Sequence, residues 1–226
     1  MEGWLETLFR RRSYIKIDES LEGKMTRSWL KCLGLILALL PVGWVRAAPP
    51  PEDSQKAYFA GGCFWCMTPP FEKLKGVLKV TAGYADGQGE NPTYDDYADR
   101  GFTETVEILY DPAQISYSQL LGVYWKQINP TDAEGQFVDR GPQYRATIFF
   151  LNPKQKVEAE QSKLVLDKSG LYDKPIVTPV KAFTDFYPAE DYHQDFYKKN
   201  PMHYQLYHMN SGRDDYLDGI WGKGKH

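Results

Sequence analysis

Lys56-Ala57-Tyr58-Phe59-Ala60-Gly61-Gly62-Cys63-Phe64-Trp65-Cys66 passes from a short apolar stretch, through two glycines, into two cysteines three residues apart. The alternating stretch reads as a strand, and the paired glycines mark a sharp turn into the next element. Cys63 then opens a helix, with Phe64, Met67, Phe71 and Leu74 at helical spacing. Pro69-Pro70 confine that helix to a start near Thr68 or to a distorted first turn. A thiol at a strand end and a helix start faces unpaired backbone N–H groups and the positive end of the helix dipole, which marks Cys63 as the better-activated sulfur. Cys66 lies within its reach, so the pair can cycle between dithiol and disulfide through a sulfenic acid or a mixed disulfide. A structural bridge and half of a zinc site are the other readings of this spacing. A bridge over so short a loop restrains the unfolded chain little, and His193, His203, His208 and His226 form no second paired motif for zinc.

Downstream, Val77–Tyr84 reads as a strand and 85–101 as a long Gly/Asn/Asp-rich loop. Glu104–Tyr110 alternates as a strand with one wet face and stops at Asp111-Pro112. Ser116 is placed as the N-cap of a helix that Asn129-Pro130 ends. Tyr144–Leu151 reads as a buried strand, Asn152-Pro153 caps a helix to about Lys168, and Val180–Phe186 is a further strand. This order predicts one α+β domain, a two-layer sandwich of a mixed or antiparallel sheet with packed helices. The segment from Glu190 to His226 has no clear period and is expected to wrap the domain as an irregular tail.

Upstream, Met25 begins a stretch in which Arg27 and Lys31 precede the 13-residue apolar run Leu33–Val45. A bilayer span takes about 20 apolar residues. Pro41, Gly43 and the small residues Val45 and Ala47 complete the layout of a secretory signal with a cut between Ala47 and Ala48. A buried core helix and an uncleaved single anchor are the alternatives. Residues 1–24 are then an extension ahead of a start at Met25, 25–47 the signal peptide or anchor, 48–55 a proline-rich linker, and 56–226 the folded domain. The expectation is an exported protein of the periplasm or cell envelope, in contact with a membrane only if the signal stays uncut. Cleavage removes Cys32 and leaves Cys63 and Cys66.

Across 226 residues, 42% are hydrophobic and 25% charged, the balance of a folded domain rather than a disordered or multi-span chain. The formal net charge of −3 argues against nucleic-acid binding, which needs a basic surplus to displace counterions. Aromatic residues reach 15%, with 16 tyrosines that can line apolar pockets with hydroxyl tips.

Several separated motifs carry a wider likeness: GGCFWC at 61–66, GYADG at 83–87, NPTY at 91–94, TETV at 103–106, YDP at 110–112, DRGPQYR at 139–145 and DYHQDFYKKNP at 191–201. In this order the chain from about Lys56 to Trp221 resembles the A-type peptide methionine sulfoxide reductases, in the subgroup whose first motif ends in a second cysteine. The resemblance implies an α+β sandwich related to the ferredoxin-like split βαβ arrangement. It implies reduction of methionine-S-sulfoxide, free or in oxidised proteins and peptides, by a monomer with no metal or bound organic cofactor. Carried onto these residues, it makes Cys63 the nucleophile at the sulfoxide sulfur and Phe64 and Trp65 the walls that hold the S-methyl group. Glu104 becomes the protonated catalytic carboxyl, Tyr94 and Tyr144 hold the sulfoxide oxygen, and Asp139 belongs to the surrounding polar network of the substrate site. Cys66 becomes the resolving cysteine, giving a Cys63–Cys66 disulfide that an external, thioredoxin-like dithiol reduces. The chemistry supports the need for an acid on its own terms, because the sulfoxide oxygen leaves only with a proton or a hydrogen bond. His193 fits packing of the C-terminal segment as well as substrate contact.

Two departures stand out. Gly101-Phe102-Thr103-Glu104 replaces the Gly-His-x-Glu of many members, and the loop from Tyr94 to Glu104 is about two residues shorter than in some, which implies a different pocket rim. The tail has no further cysteines, so recycling would act directly on the Cys63–Cys66 bond. Two competing readings remain at this stage. A thioredoxin-like disulfide oxidoreductase would not need Glu104, and a noncatalytic binder of methionine-rich segments would keep binding in Cys63→Ser.

Overall fold

The computed structural model describes residues 49–226. The upstream extension, the signal or anchor and the cut after Ala47 lie outside the described residues. Pro49–Ser54 carries neither strand nor helix.

Strand β1 (Gln55–Ala60) is central, paired antiparallel with β3 (Thr103–Tyr110) on one side and β6 (Thr147–Phe150) on the other. Strand β2 (Val77–Ala85) pairs antiparallel with the far side of β3. Edge strands β7 (Val180–Ala182), parallel to β6, and β8 (Phe186–Pro188), antiparallel to β2, complete the order β7-β6-β1-β3-β2-β8. Helix α1 (Phe64–Glu72) joins β1 to β2 while β3 lies between those two strands. The molecule is therefore α+β with a mixed, mostly antiparallel sheet.

The alternation of β1 divides its side chains between two cores. Ala57 and Phe59 enter the main one, with Phe71 of α1 and Tyr124 of α2 (Tyr117–Trp125). Tyr58 and Ala60 enter a smaller cluster with Ala85 and Phe149, against which Phe183 and Phe186 pack. Ser116 caps α2 through a capping box with Gln119, as its position before the apolar run predicts. Asn152 accepts from the Gln155 N–H to cap α3 (Pro153–Lys168), which lies against α2 with the Trp125 indole donating to Ser162 Oγ at 3.0 Å.

Four local expectations are corrected. Tyr144 is not in a strand: Gly141 at φ +121° and Pro142 set a 3-10 turn over Pro142–Tyr144, and β6 starts only at Thr147. The single strand over Val180–Phe186 is two strands at opposite edges of the sheet, because the chain crosses the smaller core between them through Phe183. A two-residue hairpin, β4 (Gly135–Gln136) with β5 (Asp139–Arg140), has no alternation long enough to betray it. The tail is helical rather than irregular: α4 (Phe196–Lys199), α5 (Pro201–Asn210) and α6 (Arg213–Trp221). Pro201 starts α5 at a position that needs no N–H, and Gly212, in the left-handed region at φ +72°, turns the chain into α6. No α5 side chain is buried and only Arg213 and Leu217 of α6 are, so neither helix shows an apolar period.

Candidate active site

The turn after β1 is built by crowding. A Cβ on Gly61 would lie 2.6 Å from Met67 Cε, and Gly62, at φ +83°, would place one 2.7 Å from Gln136 Cβ. Only glycine fits both the space and, at Gly62, the backbone. The chain leaves this turn at Cys63, the N-cap of α1, and the helix begins at Phe64 rather than near Thr68. The Cys66 and Met67 N–H groups both reach the Cys63 carbonyl, so the first turn closes upstream of the prolines. Pro69 and Pro70 lack the N–H groups that would have met the Trp65 and Cys66 carbonyls.

Glu104 arrives from β3. Its register opposite Tyr84 of β2, two residues before the core residue Val106, turns its side chain to the helix-covered face. There it is buried, and its two oxygens accept from the Phe64 N–H at 2.9 Å and the Tyr97 hydroxyl at 2.9 Å. Burial pushes this carboxyl well above the ordinary range, and the neighbouring Cys63 adds to the rise against the pull of the two hydrogen bonds. Glu104 is thus biased toward its protonated, acidic form beside a thiol.

The two sulfurs act on each other. Burial pushes the Cys63 thiol up, and its hydrogen bond to Cys66 adds to that. The same bond from Cys63 lowers Cys66, against burial and with help from Arg213. The reason lies in the helix terminus. The Phe64 N–H, which would face a Cys63 thiolate, is spent on Glu104, and the Cys66 and Met67 N–H groups on the Cys63 carbonyl, which leaves the Trp65 N–H as the donor of the first turn. The hydrogen bond between the two thiols thus raises one and lowers the other, and Arg213 acts on the Cys66 side of the pair. Both thiols are free.

Around them stands an aromatic wall. Phe64 is buried, and Trp65 stacks on Phe196 at 3.7 Å with rings 4° apart. The Trp65 indole N–H donates to His193 Nδ1 at 3.1 Å, which puts the ring proton of neutral His193 on Nε2. His193 is enclosed by Phe64 and Tyr94, and burial lowers its pKa, so it stays neutral and fixes the Trp65 indole. Tyr94 is 40% exposed, with its N–H on Glu190 Oε1 at 2.8 Å and its ring stacked on Tyr97. Burial, then the Glu104 and Cys63 charges, push its hydroxyl up to about 12. The Tyr144 hydroxyl faces that of Tyr97, and the nearness of Tyr144 to Glu104 and Cys63 helps raise its own pKa after burial. Asp139 of β5 accepts from the Tyr207 hydroxyl at 2.6 Å. Burial raises its pKa, while Tyr207, Arg213 and the Cys63 N–H work to lower it.

All eight residues singled out from the sequence, Cys63, Phe64, Trp65, Cys66, Tyr94, Glu104, Asp139 and Tyr144, therefore meet at one place. Phe102 does not shape the rim: it is fully buried, and a Cβ on Gly87 would lie 2.2 Å from its ring. Sequence reasoning missed Tyr97, which holds Glu104, Tyr207, which holds Asp139, and Arg213 behind the cysteines. Tyr97 lies three residues after Tyr94 in a polar loop without period, and the other two lie in the tail read as irregular. Among the described residues, no group of three or more His, Cys, Asp or Glu could hold a metal ion.

A mixed sheet that delivers a vicinal thiol pair to a helix start, over a buried carboxyl and beneath an aromatic wall, defines a thiol-based oxidoreductase. The family model described as peptide methionine sulfoxide reductase matches residues 55–225, and the chain belongs to that family. The peptide methionine sulfoxide reductase MsrA of Listeria monocytogenes serotype 4a (strain HCC23) is 52% identical over 172 residues, covering 75% of this chain and 97% of the relative. MsrA 1 of Lactococcus lactis subsp. lactis (strain IL1403) is 51% identical over 175 residues, covering 76% and 94%. Among solved structures, methionine sulfoxide reductase A of Corynebacterium diphtheriae superposes with a TM-score of 0.60 at 30% identity, over 67% of this chain and 77% of that one. Mxr1 of Saccharomyces cerevisiae in reduced form superposes with a TM-score of 0.63 at 26% identity, over 68% and 90%.

Proposed function

We propose that this chain reduces methionine-S-sulfoxide, in oxidised proteins and as the free amino acid, through a Cys63 sulfenic acid and a Cys63–Cys66 disulfide. The observation that carries the reading is the buried carboxyl of Glu104, oriented by the Phe64 N–H and the Tyr97 hydroxyl beside Cys63 and biased by burial toward its protonated form. The sulfoxide oxygen leaves only with a proton or a hydrogen bond, which such an acid supplies. The S-methyl group rests against Phe64 and Trp65, and the sulfoxide oxygen accepts from Glu104, Tyr94 and Tyr144, with Asp139 and Tyr207 completing the polar rim. Cys63 attacks the sulfoxide sulfur, giving its proton to the site as the S–O bond passes to Cys63. The substrate sulfur is reduced by two electrons, the Cys63 sulfur is oxidised by two, and methionine leaves. Cys66 then displaces water from the sulfenic acid, and a thioredoxin-like dithiol reduces the disulfide.

The test is turnover of peptides carrying separated S and R sulfoxides by residues 48–226 with excess dithiothreitol, for wild type, Cys63→Ser, Cys66→Ser and Glu104→Gln. The reading expects S-only reduction, a dead Cys63→Ser, about one turnover without thiol for Cys66→Ser, and a strongly slowed Glu104→Gln. Reduction of insulin disulfides without reduction of either epimer overturns it in favour of a thiol exchanger, and inactivity in both assays favours a binding module. Residues 25–47 serve as an export signal, and the electron donor then works outside the cytosol. The mass of the secreted chain should place its N-terminus at Ala48.

A further inference from the structure

Arg213 is 1% exposed, and among the described residues no carboxylate lies within ion-pair distance of it. A guanidinium stripped of water without an opposite charge is costly, so its retention here calls for a use. Its hydrogen bonds go to neutral partners. Nη2 donates to the Gly61 carbonyl at 3.1 Å and Nη1 to the Gln127 carbonyl, while Nη1 also lies 3.7 Å from Met67 Sδ. Nε has no partner, and the guanidinium lies over the Phe137 ring at 4.6 Å. Two of these anchors, Gly61 and Met67, flank the cysteine pair, and a Cβ on Gly62 would come within 3.1 Å of Nη2. The positive charge is thus fixed against the turn and first helical residues that carry the cysteine pair.

We infer that Arg213 is the counter-charge for the Cys66 thiolate and so drives the resolving step rather than sulfoxide reduction. The inference rests on the sulfoxide reductase reading above. In that step the Cys66 thiol gives up its proton and its sulfur attacks the Cys63 sulfenic sulfur. The S–S bond forms, the S–O bond breaks, and hydroxide leaves as water with the proton released. The Cys66 sulfur is oxidised and the Cys63 sulfur reduced. The groups facing Cys66 besides Arg213 are Cys63, Asp139 of β5, Asp214 of α6, and Tyr204 and Tyr207 of α5; the two carboxylates oppose a thiolate and Arg213 offsets them.

The experiment separates the two steps in a single turnover without reductant, across pH, for wild type, Arg213→Gln and Arg213→Lys. Methionine release reads the first step, and loss of free thiol with loss of trapping by a cyclic 1,3-diketone reads the second. The expected result is an unchanged methionine burst in Arg213→Gln with disulfide formation slowed about tenfold or more at neutral pH, its midpoint raised by about one pH unit or more. Arg213→Lys should recover most of that loss. An intact burst with an unchanged rate and midpoint of the second step overturns the inference and leaves Arg213 a packing residue. Absence of a burst in wild type removes the sulfoxide reductase reading and this inference with it. Should Arg213→Gln fail to fold, alkylation of Cys66 in Cys63→Ser, with Arg213 kept and with Arg213→Met, decides: a midpoint raised by Arg213→Met supports the inference, and an unchanged midpoint overturns it.

Discussion

Glu104 is costly to the fold as a carboxylate and, in the mechanism proposed above, serves the reaction as an acid, and the two consequences can be measured separately. Its native pKa lies above the unfolded value of about 4.3, so the native state binds the extra proton. The stability this contributes is fully present below that value and is lost as pH rises toward the native pKa. Thermal unfolding of wild type should therefore fall over that window relative to Glu104→Gln, with the gap widening in favour of the variant. Activity should move the other way. Glu104→Gln loses the proton donor and should reduce sulfoxide on the order of 10²- to 10⁴-fold more slowly at every pH, without the alkaline limb that deprotonation of Glu104 gives wild type. A variant that is less stable at alkaline pH and merely weak in substrate binding would instead make Glu104 a packing group. The carboxyl itself was legible in the sequence because it precedes an alternating strand within a motif. Tyr97, which supports it, was not, because a buried hydroxyl in an aperiodic loop leaves no mark on composition or spacing.

The turn between β1 and α1 sets where both sulfurs stand, and its tolerance is small. Gly62→Ala must place a side chain at φ +83°, 2.7 Å from Gln136 Cβ. The variant should lose about 1–3 kcal/mol of stability and a larger share of turnover, since Cys63 follows directly. Denaturant unfolding and kcat/KM on one preparation check this, and equal loss in both measures would deny the turn a positioning role. The capping box of α2 is the contrasting case. Ser116→Ala should cost about 1 kcal/mol of stability and leave kcat unchanged. Legibility follows the same division between elements. Ser116, Asn152 and the alternation of β1 and β3 each announce local hydrogen bonding or two-faced burial, so those elements could be read from the residues. Helices α5 and α6 are held by isolated anchors such as Arg213 and Leu217, and β8 by pairing with a strand a hundred residues away, so no local pattern records them. The early α1 start escaped for a similar reason, because its first N–H is satisfied by Glu104 from another strand.

At the scale of the molecule, the catalytic cycle conflicts with the shape that performs it. Cys63 is 7% exposed and Cys66 1%, yet the cycle proposed above must end with an external thiolate in contact with one of these sulfurs. The sheet and helices α1 and α2 hold the main core and cannot open cheaply. The cover formed by α4 and α5 is held less deeply: α5 buries no side chain and meets the site through Tyr207 on Asp139 and the rings of His203 and Tyr207 on Trp65, while α4 stacks Phe196 on Trp65 and sets Tyr197 and Lys198 on Glu72 at the surface. Recycling is therefore expected to pass through detachment of residues 196–210 from the cysteine pair. Hydrogen exchange should be faster over 196–210 in the oxidised than in the reduced protein, while β1 and β3 stay protected in both. The rate of disulfide reduction by dithiothreitol should level off at the opening rate as its concentration rises, and low urea, below the unfolding transition, should raise that plateau. Exchange that is the same in both redox states, with reduction remaining first order in dithiothreitol throughout, would place the route to the sulfurs elsewhere, past the exposed Tyr94 rim, and would make the C-terminal helices a fixed wall of the site.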